Sequence, residues 1–328
     1  MDGINIDQLV AELGAYYMTH TKEIRQMFYN VKTPLKPYLT PVTAIKGKFP
    51  AQHTIITDVI QAFRAQWDEM GVTHFKVSIL QNYHLKVNYP IVPATILNTY
   101  AAHLYKENTP MQSMPISRYI MMELKKIVAK NMAKLQIKGE YQADTYQNLL
   151  ASMNGLLKIL SNGVADSDNP MYKVPLAIIT DDNAVDEISK FERNIPEEVL
   201  DEIDGIFCSK AIFESYLTAY ENEFGQNTDY RKGDKLTTRL HKIPLIPLSY
   251  MGDSQFIFCT PKSNFLELID LNAMPAITDI QKLDYKVKIF MESWNGIAFW
   301  INQLVIVSVN IGSGSGLTTD NDLYYNVD

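Results

Sequence analysis

The stretch that decides the fold is SRYIMMELKKIVAKNMAKLQIKGEY, residues 117–141. Apolar residues recur in it at helical spacing, and lysines line another side of the same predicted helix. The pattern predicts a helix from Pro115 to Lys138, which ends at Gly139. At about 1.5 Å per residue, this helix spans on the order of 35 Å, which is long for a globular protein. Its lysines are Lys125, Lys126, Lys130, Lys134 and Lys138.

The residues before this helix predict two further helices and an extended segment. Apolar residues at helical spacing predict an amphipathic helix over residues 7–29. The next eleven residues, VKTPLKPYLTP, contain three prolines and predict an extended segment. A short helix is predicted over residues 54–70, ended by Gly71. The helix over 7–29 has no partner adjacent in sequence, so we expect residues 1–45 to contribute little to the chain's own core and to dock elsewhere.

Residues 75–89 alternate between apolar and polar side chains. Phe75, Val77 and Ile79 alternate with Lys76 and Ser78, and the alternation continues from Tyr83 to Tyr89. A period of two over fifteen residues predicts a β ribbon. One face of this ribbon is apolar and the other is basic and polar, so one side faces solvent or a partner.

The remaining elements are shorter. Pro93 opens a predicted helix over residues 93–107, and Pro196 opens a short acidic helix that ends at Gly205. Ser209 is the predicted N-cap of a helix that ends at Gly225. The core face of that helix is Phe213, Tyr216, Leu217, Tyr220 and Phe224. Predicted strands are 175–180, 206–209, 242–250, 254–261, 284–291 and 301–310, and residues 312–328 form a flexible tail.

Composition and charge exclude several classes of protein. The 328 residues are 46% hydrophobic and 20% charged, as in folded proteins of two or three packed units. Residues 1–160 carry 17 Lys and Arg against 11 Asp and Glu, and residues 161–328 carry 13 against 26. This asymmetry argues against one broad basic nucleic-acid surface. Two cysteines, Cys208 and Cys259, are too few for a disulfide scaffold or a thiolate zinc site.

Sequence motifs of catalysis are absent. The chain contains no phosphate-binding GxxxxGK[ST], no HExxH and no GxSxG. GSGSG at 312–316 is not followed by a predicted helix, and the acidic run at 181–187 lacks the register of a calcium loop. The six histidines lack metal-ligand spacing. We therefore expect no catalytic residue, cofactor or metal, although triads that assemble from distant positions leave no local motif.

No segment has the pattern of a signal peptide or a membrane span. The N-terminal MDGINIDQL lacks a basic region before an apolar run. The most apolar stretch, residues 297–309, is shorter than the roughly 20 residues of a spanning helix. We therefore expect a protein that is made and kept in a cytoplasm and has no membrane partner.

The order of these elements resembles the major capsid proteins of tailed bacteriophages, which have the Hong Kong 97-type fold. Residues 9–28 are similar to the N-arm helix of that family and residues 117–141 to its spine helix. SMNGLLKIL (152–160) resembles the segment that leaves the spine. Residues 206–225 and 241–270 resemble the axial-domain core, and 284–309 the strands that return to the peripheral domain.

The resemblance implies an α+β fold in six parts. These are an N-terminal arm (1–45), an extended β loop (46–92), a peripheral domain with the spine helix (93–160), an axial domain (161–283), peripheral-domain return strands (284–311) and a C-terminal tail (312–328).

The resemblance also implies a structural function. Many copies would form an icosahedral shell around double-stranded DNA, with portal and auxiliary virion proteins as partners, assembled in the host cytoplasm. Candidate subunit contacts are Leu13, Tyr16 and Tyr17 in the arm and Tyr83, Leu85 and Val87 in the ribbon, which we expect to lie away from the body. Lys126, Lys130 and Lys134 face either packaged DNA or acidic groups of a neighbouring subunit. The alternatives are an encapsulin-type nanocompartment shell, a phage enzyme or a minor virion protein.

Overall fold

The computed structural model describes most of the chain. The described residues are 6–29, 31–43, 45–56, 59–71, 73–92, 96, 99–101, 115–225, 231–232, 235–270, 276–283 and 286–310. Most of the helix predicted over residues 93–107 lies outside them, as does the whole tail 312–328.

The described residues form a mixed α+β structure, as the sequence predicted. The helices are α1 (Ile6–Thr19), α2 (Thr21–Tyr29), α3 (Ile116–Lys138), α4 (Leu156–Ala165), α5 (Ala184–Arg193), α6 (Glu197–Leu200) and α7 (Lys210–Phe224). The strands are β1 (Thr40–Thr43), β2 (Lys48–Ile56), β3 (Thr73–Gln81), β4 (Tyr83–Ile91), β5 (Tyr172–Leu176), β6 (Ile206–Ser209), β7 (Arg231–Lys232), β8 (Lys235–Leu236), β9 (Leu245–Leu248), β10 (Phe258–Cys259), β11 (Phe265–Ile269), β12 (Ala276–Leu283), β13 (Lys286–Phe299) and β14 (Ile306–Asn310).

The first sheet is built around β13, a strand of 14 residues. It pairs antiparallel with β4, β11 and β12, and β1 adds to β11 in parallel. Alternate residues of β13, Val287, Ile289 and Met291, are buried and belong to one cluster with Leu124 of α3 and Leu13 of α1. The long helix and the N-terminal helices therefore rest on the sheet of which β13 is the centre.

The second sheet has the strand order β5-β14-β10-β6-β9. The β5–β14 and β6–β9 pairs are parallel, and the others are antiparallel. Helices α5 and α7 contribute Phe191, Ile212 and Tyr216 to its core, where they join Cys208 and Cys259.

Phenylalanine rings join the two sheets. Phe258 of the second sheet lies edge-on to Phe265 of the first, with ring centroids 6.1 Å apart. Phe265 stacks on Phe299 at 4.9 Å. Such aromatic contacts bury large apolar areas, so the two sheets share a continuous core.

The long helix is confirmed as α3, with Pro115 before it and Gly139 after it. Gly139 has an extended backbone rather than the left-handed conformation typical of a terminal glycine. Its carbonyl accepts a hydrogen bond of 2.8 Å from the Gly155 amide, so the two chain segments approach closely at this point. Gly139 is required there because a Cβ at this position would collide with backbone atoms of Met153 and Leu135.

The helix predicted over residues 7–29 consists of two helices, α1 and α2, separated at His20. The hydroxyls of Thr19 and Thr21 each donate to the carbonyl four residues earlier, at 2.8 and 2.7 Å. Hydrogen bonds of this kind bend helices.

The expectation that residues 1–45 contribute little to the chain's own core is wrong for the described part of that segment. Leu9, Leu13 and Ile24 are fully buried against the first sheet and α3. Leu35 is equally buried, and the extended segment then enters the first sheet as β1. These contacts join residues far apart in sequence, which helical spacing does not reveal.

The prediction of a helix over residues 54–70 is also wrong. β2 continues to Ile56 because it pairs with β3 through nine consecutive positions. Residues 59–71 form no regular element, and Phe63 and Trp67 are 98% and 90% exposed. A helix of about twelve residues is marginal in water when nothing packs on it.

The later strand and boundary predictions need three corrections. The strand expected at residues 175–180 is β5, which begins earlier and ends at Leu176, where its pairing with Asn310 of β14 ends. The domain boundary expected after residue 283 separates strands that pair with one another, because β11 and β12 both pair with β13. Strand β14, expected among the returning strands, belongs to the second sheet.

The helix predicted after Ser209 is confirmed as α7. The Ser209 hydroxyl accepts from the Ile212 amide at 3.2 Å, and Gly225 follows the last turn with a left-handed φ of 70°. Tyr216 and Tyr220 are buried as predicted, whereas Leu217 is only partly buried.

We predict that Gly155→Ala destabilises the protein by about 1–3 kcal/mol, the usual cost of overpacking. An added Cβ would lie 2.7 Å from the Gly139 nitrogen, which is backbone and cannot move aside. Gly14→Ala is the matched control, since its Cβ meets no atom within 4 Å and should raise helix stability by about 0.5–1 kcal/mol. Equal denaturation midpoints for both variants would contradict the close-approach argument.

We predict that Ile212→Ala lowers the free energy of unfolding by about 2–5 kcal/mol, the range for a fully buried aliphatic side chain. Leu217→Ala should cost clearly less, because Leu217 is only partly covered. Urea denaturation of the two variants checks the order, and a larger loss at Leu217 would show that α7 is rotated from this position.

Candidate assembly surfaces

Strands β2 and β3 form a two-stranded hairpin whose two faces differ. Its inner face carries Ala51, His53, Ser78 and Leu80, which are all buried by the rest of the chain. The hairpin outer face carries Ile56, Phe75, Val77 and Ile79. The last three are 65%, 52% and 67% exposed. The polar and small residues therefore lie inside, and the apolar alternation predicted from sequence faces outward.

A polar network fastens the inner face to the body. The amide of Asn169 donates to the Ser78 hydroxyl at 3.1 Å, and the Gln303 amide donates to Asn169 Oδ1 at 2.7 Å. The Lys76 ammonium donates to the carbonyl of Asp168 at 2.8 Å. Buried polar groups are stable only when they are hydrogen-bonded, so this network fixes which face of the hairpin is inside.

His53 lies on the same inner face. Burial lowers its pKa below the usual 6.5, and the nearby charge of Lys76 lowers it further, whereas a contact with Gln303 opposes the shift. The pKa of this histidine is therefore coupled to whether the hairpin is docked.

Strand β4 is not part of a projecting ribbon, contrary to the sequence expectation. It pairs with β13 along nine positions and belongs to the first sheet. Tyr83 and Leu85 are buried in the chain's own core, and Val87 is half-buried. The expectation that a neighbour buries Tyr83 and Leu85 is therefore wrong, and the exposed apolar residues lie on β3 instead. Burial raises the pKa of Tyr83.

The three candidate contact residues of α1 have different surroundings. Leu13 is fully buried beneath its own chain, so it cannot also contact a neighbour in this conformation. Tyr16 and Tyr17 are half-buried, and burial raises the pKa of Tyr16. Of the three, only the tyrosines present surface that a second molecule could cover.

A groove of about 630 Å³ lies between α3 and the strands β4 and β13. Apolar side chains from both sides line it, among them Val87, Leu124, Ile127, Val128 and Met291. Ile127 remains 44% exposed at its edge. The groove combines an apolar lining with access from outside, which is the character of a docking site.

The sheet wall of this groove carries charge and aromatic groups. His84 Nε2 lies 3.2 Å from Glu292 Oε2, and the imidazole stacks on Trp294 at 4.6 Å. Lys86 also lines the groove.

The lysine row of α3 is a mostly exposed face in the single chain. Lys126 donates to Glu123 at 2.6 Å, and this hydrogen bond raises the pKa of Lys126. Lys130 and Lys134 are exposed and form no ion pair with any described residue. They lie on the same helix as the groove residues Ile127 and Asn131 but do not line the groove.

Neither cysteine of the chain is a reactive thiol. Cys208 and Cys259 are free thiols with fully buried side chains. Burial raises the pKa of Cys208 to about 12 and raises that of Cys259 too, so neither is a thiolate at neutral pH. No three His, Cys, Asp or Glu side chains in the described ranges could together hold a metal ion. None of the described helices is long and apolar enough to span a bilayer.

The sequence matches no family model and no curated protein. The fold is nevertheless shared with solved phage structures. A chain from the capsid of an empty GTA particle aligns with a TM-score of 0.52 at 11% identity, over 84% of this chain and 89% of that chain. A chain from the procapsid of satellite phage P4, which includes the size determination (Sid) protein, aligns with a TM-score of 0.53 at 11% identity, over 89% and 98%.

A chain from Gordonia phage Cozz aligns with a TM-score of 0.52 at 13% identity, over 85% of this chain and 86% of that one. At such low identities the likeness establishes the fold. The chain shares the fold of the GTA capsid and P4 procapsid chains, and it is a mixed α+β protein, as the resemblance to the Hong Kong 97-type fold implied. The division into six parts stays a prediction.

Sequence reasoning missed the hairpin outer face and the exposed residues between β2 and β3. The sequence carries a signal for the outer face, because Phe75, Val77 and Ile79 alternate with polar residues. The same alternation over Tyr83–Tyr89 predicts that both segments belong to one ribbon. Which face of a strand is buried depends on the surface opposite it, and that surface is distant in sequence.

We predict that acid loosens the hairpin. Burial disfavours the charged form of His53, so its pKa is lower in the docked hairpin than in the undocked one. The undocked hairpin therefore binds more protons as the pH falls. The contribution of His53 to docking is complete above pH 6.5 and is lost as the pH falls below that value. Hydrogen exchange, corrected for intrinsic rates, should show less protection in β2 and β3 at pH 5 than at pH 7.5. His53→Gln should abolish this difference and the control His74→Gln should keep it; an unchanged pH dependence in His53→Gln would refute the assignment.

Proposed function

We propose that this protein is the major capsid protein of a tailed bacteriophage. Many copies assemble into an icosahedral shell that encloses double-stranded DNA. The capsid fold over 84–89% of the chain supports the class of protein, and the hairpin outer face is the observation that carries the assembly function. The protein acts as a structural component rather than as an enzyme.

The hairpin outer face is unsuited to a free monomer. Ile56, Phe75, Val77 and Ile79 expose an apolar row on a two-stranded element, whose strands present open edges. Natural proteins normally protect such edges and patches, because they otherwise aggregate. A neighbouring subunit that covers the row removes apolar surface from water at about 25 cal/mol per Å². In a closed shell, every copy has a neighbour that can cover its apolar row.

The parts of the fold then have defined roles. The hairpin over Lys48–Gln81 acts as the extended loop, α3 is the spine helix, and the second sheet with α5 and α7 is the core of the axial domain. Tyr16 and Tyr17 of the arm contribute to subunit contacts. The shell would be completed by portal and auxiliary virion proteins, and assembly would take place in the host cytoplasm.

The lysines of α3 take part in one of two contacts. Lys126, Lys130 and Lys134 face either packaged DNA or acidic groups of a neighbouring subunit. A phosphate contact is lost by counterion release as salt rises, and depends on DNA being present. A contact between subunits persists in empty shells and is weakened by screening alone.

We predict that Ile79→Lys weakens assembly and leaves the monomer folded. Ile79 is 67% exposed, so a lysine is tolerated in the free chain, but a neighbour would have to bury its charge. Electron microscopy and sedimentation should show at least about a tenfold rise in the concentration required for particles, since tenfold corresponds to only about 1.4 kcal/mol.

Ile178→Lys is the matched control, because Ile178 is 62% exposed and lies beside the second sheet. It should assemble as the unmodified chain does. Particles from Ile79→Lys at the unmodified concentration would exclude the hairpin outer face as an interface. Absence of nuclease-protected DNA in particles from infected cells would favour the nanocompartment alternative.

A further inference from the structure

The β2–β3 hairpin has an open edge in addition to its apolar outer face. It is a sheet of two strands, so each strand has one side without a neighbouring strand. Pro50 lies in β2 and lacks an amide N–H, whereas β3 contains no proline. An open edge of this kind accepts a further strand through main-chain hydrogen bonds. The edge of β3 is therefore where a segment of another molecule can bind.

The apolar row of the hairpin outer face lies along this edge. A Cβ added to Gly296 of β13 would lie 2.6 Å from the carbonyl oxygen of Gln81, so the last residue of β3 is already against the first sheet. Residues 73–79 precede that contact. They carry three of the four apolar side chains of the hairpin outer face. A strand paired with residues 73–79 would place every second side chain beside this row.

The sequence after β14 contains a segment with the pattern of such a strand. Residues 317–327 read LTTDNDLYYNV and lie outside the described ranges. Every second residue of the segment is uncharged, and both of its aspartates lie on the other side. A period of two predicts a strand with one uncharged and one acidic face. The uncharged face consists of Leu317, Thr319, Asn321, Leu323, Tyr325 and Val327.

The charges of the hairpin and of this segment are complementary. Strands β2 and β3 contain Lys48 and Lys76 and no aspartate or glutamate. Residues 317–328 contain three aspartates and neither lysine nor arginine. If the uncharged face of an added strand lies beside the apolar row, its aspartates lie on the same face of the sheet as Lys76, because side chains alternate along a strand. Opposite charges placed in this way favour one orientation of the added strand.

The chain leaves β14 in a direction away from its own hairpin. The hairpin is held near the beginning of β14, where Ser78 contacts Asn169 and Asn169 contacts Gln303. The five residues of β14 then carry the chain about 15 Å away, as far as the exposed Asn310. Residues 311–316, which read IGSGSG, extend at most about 20 Å. Most of that length would be used in returning along β14, so the segment reaches the hairpin of a second copy more directly than its own.

We propose that residues 317–327 of a second copy of this chain add as a strand to the open edge of β3. Leu323, Tyr325 and Val327 pack beside the apolar row, and main-chain hydrogen bonds close the edge. The contact joins different surfaces on the two copies, and such contacts form rings when they close. This inference rests on the proposed shell function, and it names the segment of the neighbouring subunit that covers part of the hairpin outer face.

Cross-linking between two single-cysteine additions tests the strand addition. Chains with Gln52→Cys are mixed with chains with Asn321→Cys, assembled, and treated with a short bismaleimide. Gln52 is exposed on the outer side of β2, and both positions lie near the middle of their segments, so either strand direction brings them together. Glu214→Cys, at an exposed position of α7, replaces Gln52→Cys in the control pair. Cys208 and Cys259 are buried and stay unmodified.

The outcomes separate this inference from the proposed function. Cross-linked dimers from the Gln52→Cys pair, and none from the control pair, support the strand addition. A chain that carries both cysteines and is diluted with unmodified chains tests the source of the segment, because a cross-link within that chain overturns the assignment to a second copy. Intact particles without any cross-link overturn the inference and leave the shell function standing. Absence of particles from the unmodified chain overturns the shell function, and the inference with it.

Two adjacent tyrosines test whether the segment binds as a strand. Tyr325→Asp places a carboxylate on the uncharged face, beside the apolar row, and should lower the initial rate of cross-linking at least about tenfold, because an unpaired charge is costly to bury. Tyr324→Asp makes the same chemical change on the acidic face and should leave the rate nearly unchanged. Equal losses in the two variants would show that the segment does not bind with the alternation of a strand, and would overturn the inference.

Discussion

The structure depends on the backbone pairing of β13 with three other strands. β4, β11 and β12 all bond to this one strand, and they come from segments up to about 200 residues away in sequence. A shift of one residue in that pairing would turn Val287, Ile289 and Met291 away from the core. The register of β13 therefore determines the surface on which α3 and the N-terminal helices pack.

The hairpin shows how a polar network can decide the orientation of an apolar strand. Considered alone, β3 would bury Phe75, Val77 and Ile79. In the folded chain, Ser78 and its hydrogen bond to Asn169 lie inside, together with Leu80, and the apolar row is left in water. This arrangement is unfavourable for a monomer and becomes favourable when another molecule covers the row. The orientation of β3 is therefore most favourable when a second molecule covers its apolar face.

The segment between β2 and β3 extends the same principle to secondary structure. Its sequence has the periodicity and end signals of a helix, but helices this short gain most of their stability from packing.

The sequence by itself determined the elements that local interactions stabilise. Helix α3 and helix α7 were predicted with their ends, because Pro115, Gly139 and Ser209 act on neighbouring backbone groups. The order of elements was enough to indicate the capsid fold. The tertiary structure decided which strands pair and which faces are buried, as for β4, the arm helices and the hairpin. Strand pairing and the choice of the buried face depend on contacts between residues distant in sequence. The periodicity of a segment shows that its two faces differ, but it does not show which surface packs against either face.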